Sequence, residues 1–307
     1  MSKKKTAATV TTAEAAAVHT VDINKVARNL IAVRIQKHRW NGHRSAKDIS
    51  TKEEKAHKTE EGTLAAYRQY LPDDIRKDIA RTMAAITRHV DTQTVPWEAG
   101  AWKALLTTYL PQFKLELEKR IADANAVRDD FKRRYAEIRE EAKKRMNGLW
   151  KDEDFPTRDQ LDKLYGVEVQ YRSVQAPRDV AIEGLEAADV EGIKKQMTDQ
   201  FGVAIKDALG EVVARMIETL DEVLERLSRE DQKSISYGAI RKGVERTHMA
   251  LTRLNITRDA EVQKLIDKVR DVVQKLDPKT TRTDEAARKT VAVEVKDLRA
   301  SLVNFGA

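Results

Sequence analysis

The chain has 307 residues, of which 35% are charged and 5% are aromatic, and it contains no cysteine. The missing cysteine excludes disulfides, thiolate catalysis and cysteine-type zinc sites, and no apolar run approaches the about 18 residues that cross a bilayer. The formal net charge of +7 belongs to residues 1–60, which hold 13 Lys and Arg against 6 Asp and Glu. This excess of positive charge makes residues 1–60 the part of the chain most suited to bind a polyanion.

The N-terminal segment, residues 1–20, carries three lysines at positions 3–5 that are followed by no apolar core. It is therefore not a secretory signal, and we predict that it forms a disordered tail. The lack of cysteine and of a signal favours a cytoplasmic location.

Two segments show the alternation that is typical of β-strands. In residues 30–40 the β-branched residues fall on one face, which favours a strand over a helix: Ile31, Val33 and Ile35. The turn signal Asn41–Gly42 follows. In the second segment, residues 167–171, apolar residues again alternate with polar ones. We expect the two strands to pair, because a lone strand would leave its backbone groups without partners.

The remaining part of the N-terminal half is predicted to be helical. Residues 73–89 have apolar positions at helical spacing, and a further helical stretch starts at Trp97 and Trp102 and reaches Pro111. Residues 112–147 contain no proline or glycine and are predicted to form one helix. Thr157 and Gln160 then fit a capping box that opens a short helix.

The segment Gln175–Pro177 is the predicted domain boundary, after which two long amphipathic helices dominate. The apolar stripe of the first has a mean spacing of about 3.67 residues, and comprises Ile205, Leu209, Val212, Met216, Leu220, Val223 and Leu227. The stripe of the second has heptad spacing, and comprises Val262, Ile266, Val269, Val273 and Leu276. Each stripe predicts a seam that another helix covers, either in this chain or in a second copy.

Two Glu-x-x-His pairs could each supply a carboxylate and an imidazole to a metal, namely Glu54 with His57 and Glu245 with His248. The surroundings of the first pair are too polar for a buried bundle core. His248 lies on the stripe of its own helix, which favours a hydrogen-bonded histidine within a helix seam. A functional switch and a metal ligand are the alternatives for this residue.

One segment invites a binding hypothesis, because positive charges there flank a tryptophan and a turn. The candidate polyanion-binding residues are Lys37, His38, Arg39, Trp40, His43 and Arg44. Arginine and lysine bind phosphate, and tryptophan stacks on bases. The alternative is a strand end and turn with Trp40 packed inside and the charges solvated. An exposed Trp40 beside Arg39 and Arg44 would favour nucleic acid.

Several signatures then follow in order along the chain: Val33 to Trp40 with Gly42, Val95 to Trp97, Phe131 with Tyr135, Trp150, Phe155–Pro156, and Val167 to Tyr171. This order resembles a helical family of unknown function found in bacteriophages, prophages and proteobacteria, over residues 25–305. Its members tend to be encoded beside MoxR-like AAA+ ATPases and von Willebrand A-domain proteins. The resemblance implies a phage-type origin, a host-cytoplasm location and an AAA+ ATPase as partner. It implies no active-site residues.

Together, these patterns predict a mainly α-helical, non-enzymatic, cytoplasmic protein. A helical domain with a small β-ribbon, residues 21–177, would carry an extended arm of antiparallel, coiled-coil-like helices, residues 178–307. We expect no cofactor, no metal and no membrane contact. We expect an interaction or adaptor role, through self-association or with the AAA+ ATPase, and nucleic-acid binding by residues 25–58 is the alternative. A helical metal-dependent oxidase would require His57 and His248 to meet at one ion.

Overall fold

The computed structural model describes residues 22–98, 101–229, 235–277 and 280–305. Helices dominate these residues, and a four-stranded antiparallel sheet and a two-stranded ribbon accompany them. The predicted mainly α-helical class is therefore confirmed. The predicted disordered tail, residues 1–20, lies outside the described residues.

The strands are β1 (Leu30–Arg39), β2 (His43–Ser45), β3 (Tyr67–Gln69), β4 (Val95–Pro96), β5 (Trp102–Leu106) and β6 (Tyr165–Ser173). The α-helices of the described residues are α1 (Ile23–Arg28), α2 (Lys47–His57), α3 (Asp73–Gln93), α4 (Leu110–Arg133), α5 (Tyr135–Met146), α6 (Leu161–Leu164), α7 (Ala187–Ser228), α8 (Tyr237–Leu254), α9 (Ala260–Gln274), α10 (Thr280–Thr283) and α11 (Glu285–Phe305). The sheet has the strand order β4-β5-β1-β6, so the predicted pairing of the two alternating segments is confirmed.

The chain divides into two compact units whose limits differ from the boundary predicted at Pro177. Of the described residues, the bundle unit contains those within 22–34, 93–110 and 171–305, and the ribbon unit contains residues 35–92 and 111–170. The predicted arm does not stand alone, because its first helix shares a hydrophobic core with the N-terminal segment of the bundle unit.

In the bundle unit, the first half of β1 pairs antiparallel with β5 in a register that places Leu30 opposite Leu106 and Arg34 opposite Trp102. The prediction of a helix from Trp97 to Pro111 is therefore wrong over residues 102–106. Pairing gives the backbone groups of β1 and β5 their hydrogen-bond partners. This tertiary contact decides for a strand, although the spacing of Trp97 and Trp102 also suits a helix. Helix α7 packs against β4 and α1. The rings of Trp97 and Phe201 meet edge to face with centroids 4.8 Å apart.

Four helices of the bundle unit cover one another's apolar stripes. Helix α7 contacts α8, α9 and α11, and α9 also contacts α8 and α11. The buried stripe residues are Ile205, Val212, Met216, Leu220, Val223, Leu227, Val262, Ile266, Val269, Val273 and Leu276. Leu209 and His248 are half-buried. The two stripes predicted as seams are thus covered within the chain and do not require a second copy.

The ribbon unit is built on α3, whose inward face is buried as its spacing predicts: Ile75, Ile79, Met83 and Ile86. The prediction of one helix over residues 112–147 is wrong, because the backbone at Arg134 leaves the helical region with ψ 6° and separates α4 from α5. The predicted capping box is confirmed, since the Thr157 backbone N–H donates to Gln160 Oε1 at 2.8 Å.

No helix among the described residues has both the length and the apolar character that a membrane crossing requires.

Candidate polyanion-binding site

The basic segment turns sharply between β1 and β2, and Gly42 makes the turn. Its φ of +70° favours glycine, and a Cβ added there would lie 2.6 Å from Leu71 Cγ. The Gly42 carbonyl accepts the backbone N–H groups of Tyr70 at 2.7 Å and Leu71 at 3.2 Å. The turn is therefore fixed against the segment that follows β3, and this fixes where the cations on either side of it lie.

Trp40 packs inside the ribbon unit and is only 7% exposed. Its ring meets that of Phe155 edge to face with centroids 5.5 Å apart, and the ring of Tyr70 lies 6.5 Å away. The Tyr165 hydroxyl donates to the Trp40 carbonyl at 2.8 Å. Trp40 is therefore a core residue, and its face is not available for a base to stack on.

Two tyrosines of this aromatic core stay protonated because of their surroundings. Burial raises the pKa of Tyr165 above its ordinary value. Burial also raises the pKa of Tyr70, and the hydrogen bond that its hydroxyl donates to Asp154 Oδ2 at 2.7 Å adds to this effect. Both hydroxyls act as donors that tie the cluster together.

Between the end of β1 and α3 lies a cleft of about 160 Å³. It is lined by Arg39, Trp40, Asn41, His43, Leu71, Arg76, Ile79 and Ala80. The Arg39 guanidinium donates through Nε to Asn41 Oδ1 at 2.8 Å, and Arg76 forms an ion pair with Asp73 at 2.9 Å. The cleft thus joins two guanidinium groups, an imidazole and an amide above an apolar floor. This set is suited to an anion.

The structure brings only part of the predicted set into this cleft. Arg39, Trp40 and His43 line it, whereas Lys37, His38 and Arg44 do not. Lys37 lies two residues before Arg39 on β1 and donates to the Thr87 hydroxyl of α3, so it continues the row of cations along that helix. His38 Nε2 lies 3.3 Å from Glu168 Oε1, outside hydrogen-bond geometry.

Three cations of this region are exposed and form no ion pair with any carboxylate in the described part of the chain, namely Lys37, Arg39 and Arg44. No carboxylate contact has to be broken before these cations can bind a phosphate. Such contacts release the counterions that surround a polyanion, and this release favours binding.

Sequence reasoning missed two residues of the region. Arg76 comes from α3, and Tyr67 comes from β3, where its side chain is 60% exposed. The ring centroids of Tyr67 and His43 lie 5.1 Å apart at an interplanar angle of 79°. Both residues lie well after the basic segment in the sequence, and no local pattern links them to it. The fold places them beside it.

The two Glu-x-x-His pairs have structural partners of other kinds. Glu54 is buried and its Oε1 accepts the Leu64 N–H at 2.8 Å, while His57 Nε2 lies 3.7 Å from Glu53. His248 Nε2 lies 2.8 Å from Asp267 Oδ1 on α9, so it is hydrogen-bonded between two helices of the bundle. Within the residues that could be searched, no three His, Asp or Glu side chains gather as metal ligands would.

Comparison of the chain with models of protein families, with curated proteins and with solved structures gives no significant match.

Proposed function

We propose that the protein acts by binding, and that the cleft between β1 and α3 holds a phosphate group of a polyanionic polymer. The observation that carries this proposal is the meeting of Arg39, His43 and Arg76 at one cleft beside cations that lack carboxylate partners. Guanidinium groups present several N–H donors in a plane, and this arrangement matches the geometry of phosphate oxygens.

A polymer fits this surface better than a small molecule. Binding pockets for small ligands measure about 300–1,000 Å³, and a cleft of about 160 Å³ is smaller than that range. Residues two apart on a strand share a face and lie about 7 Å from each other, so Lys37 extends the positive surface beyond Arg39 along α3. The surface thus forms a row of cations, with the cleft as its deepest point.

The proposed helical adaptor role rests on the apolar seams of the long helices, and the AAA+ ATPase as its partner rests on the family resemblance alone. The apolar seams that could have carried such a contact are covered by neighbouring helices in the same chain. A protein partner would have to contact the outer, charged faces of the bundle. We therefore place the binding function at the cleft and keep the ATPase as a proposed partner without an assigned surface.

The test is a fluorescence anisotropy titration of the whole chain against labelled double-stranded and single-stranded DNA, with inorganic polyphosphate as competitor. Salt is varied from about 50 to 200 mM, because phosphate contacts weaken steeply over that range. We expect salt-dependent binding, and we expect the double variant Arg39→Gln/Arg76→Gln to reduce the magnitude of the salt slope by about 1 for each lost phosphate contact.

The matched control is Lys143→Gln/Lys144→Gln, which removes the same charge from exposed residues of α5 in the same unit. It should leave binding close to that of the unaltered chain. Equal loss in both double variants would show that net charge alone drives binding and would refute the cleft. Binding that does not respond to salt, or no binding to any of the three polymers, would refute the proposed function.

A further inference from the structure

The ribbon of β2 and β3 presents an aromatic side chain to solvent. The two strands pair with His43 opposite Gln69 and Ser45 opposite Tyr67, so these four residues share one face of the ribbon. The opposite face carries Arg68, which is buried and forms an ion pair with Asp48 of α2. On the other face of the ribbon, the Tyr67 side chain is 60% exposed.

His43 connects this exposed ring to the cleft. The His43 side chain lines the cleft, and its ring is also the one that meets the Tyr67 ring with centroids 5.1 Å apart. His43 thus belongs both to the lining of the cleft and to the ring contact with Tyr67. For a polymer with a phosphate at Arg39 and Arg76, Tyr67 would be the next exposed side chain beyond His43.

We propose that Tyr67 stacks on an unpaired base, and that the ligand class of this site is single-stranded nucleic acid. This inference rests on the proposed function and deepens it. A base presents a free π-face to an aromatic side chain only when it is not stacked inside a duplex, whereas a phosphate backbone alone offers nothing for an exposed aromatic ring to contact. The cations of the cleft bind any polyphosphate, and Tyr67 adds the preference for a single strand.

The experiment compares four forms of the whole chain: unaltered, Tyr67→Ala, Tyr67→Trp and the control Leu115→Ala. Leu115 is 70% exposed on α4 of the same unit, so its truncation removes exposed apolar surface of a similar kind elsewhere. Each form is titrated against a labelled single-stranded oligonucleotide, a duplex of the same sequence and inorganic polyphosphate. Circular dichroism melting of each form establishes that it is folded.

We expect Tyr67→Ala to weaken single-strand binding by about five- to 150-fold, the range that loss of one base–aromatic stack produces. Duplex and polyphosphate binding should stay unchanged in the same variant. Tyr67→Trp should bind the single strand at least as tightly as the unaltered chain, and Leu115→Ala should match the unaltered chain with all three probes.

Two results would overturn the stacking role while leaving the cleft intact. The first is single-strand binding by Tyr67→Ala that equals that of the unaltered chain. The second is an equal loss of affinity for single strand, duplex and polyphosphate, which would make Tyr67 a support of the cleft and not a stacking surface. Failure of the unaltered chain to bind any probe would instead refute the proposed function, and this inference with it.

Discussion

His248 of α8 and Asp267 of α9 meet with Nε2 and Oδ1 2.8 Å apart, and Gln263 Nε2 donates to the same oxygen at 3.2 Å. The hydrogen bond with His248 is the main reason that the pKa of Asp267 lies below its ordinary value. Because this pair joins α8 to α9, the protonation state of the Asp267 carboxyl affects how well the two helices are held together.

Asp267→Asn is therefore expected to lower the free energy of unfolding by about 0.5–1 kcal/mol at neutral pH, a modest effect because solvent screens a side chain that is 40% exposed. Since the folded pKa of Asp267 is lowered, its contribution is present above the unfolded value of 3.8 and is lost as the pH falls through the folded pKa. Urea unfolding at neutral pH and below about pH 4 measures this difference.

Asp271→Asn serves as the control for this pair, because Asp271 is more exposed and contacts Arg270 of its own helix. It should change the unfolding free energy at neutral pH by less than Asp267→Asn does. A deficit in Asp267→Asn that persisted unchanged at low pH would show that the charge of the carboxylate is not what the pair contributes.

Gly42→Ala is expected to destabilise the ribbon unit by about 2–4 kcal/mol. The new Cβ would meet Leu71 at 2.6 Å, and the φ of +70° adds the ordinary cost of an L-residue in the left-handed region. Gly62→Ala isolates the second effect, since Gly62 has φ +87° but open space around it, and should cost about 1–2 kcal/mol. Thermal unfolding of both variants compares them, and equal costs would contradict the close approach to Leu71.

Leu220→Ala in α7 is expected to cost about 2–5 kcal/mol, because it removes buried side-chain volume from the bundle, where Leu220 is fully buried. Val203→Ala in the same helix changes a side chain that is 61% exposed and should stay within about 0.5 kcal/mol of the unaltered chain. Denaturant unfolding at several protein concentrations measures both. Because the seams are covered within the chain, the midpoint should not depend on concentration, and a midpoint that rises with concentration would indicate a shared interface.

Trp40→Phe is expected to destabilise the ribbon unit while polyanion binding stays unchanged, because the Trp40 ring packs against Phe155 and is 7% exposed. The measurement is anisotropy with labelled single-stranded DNA at a temperature where the variant is folded. Loss of affinity in folded Trp40→Phe with an unaltered melting curve would contradict the assignment of Trp40 to the core and would favour the stacking alternative.

Local periodicity predicted several strands and helices, and the need of a lone strand for a partner predicted the pairing of β1 with β6. The alternation around Val33 and Val169 was enough for two strands, and the seam of α7 was enough for a buried stripe. The strand at residues 102–106 was missed because its spacing also suits a helix, and pairing with β1 decides between them. The break at Arg134 was missed because no proline or glycine marks it.

The candidate site divides in the same way. Arg39 and His43 stand in a dense basic segment and were predicted, whereas Arg76 belongs to a helix with balanced charge and Tyr67 to a strand of three residues. Composition reveals where charge is concentrated along the chain. It does not reveal which distant side chain the fold places beside that charge, because that depends on the packing of β1 and β3 against α2 and α3.

Helix α7 has consequences for any attempt to dissect the protein. Its 42 residues supply Phe201, whose ring meets that of Trp97, and Leu220, which is fully buried in the core of the bundle unit. A fragment that starts after Pro177 would retain the whole helix but expose the apolar surface that α1 and β4 cover in the full chain. Such a fragment is expected to aggregate, and a well-behaved truncation would have to keep residues 22–34 and 93–110 with the helices.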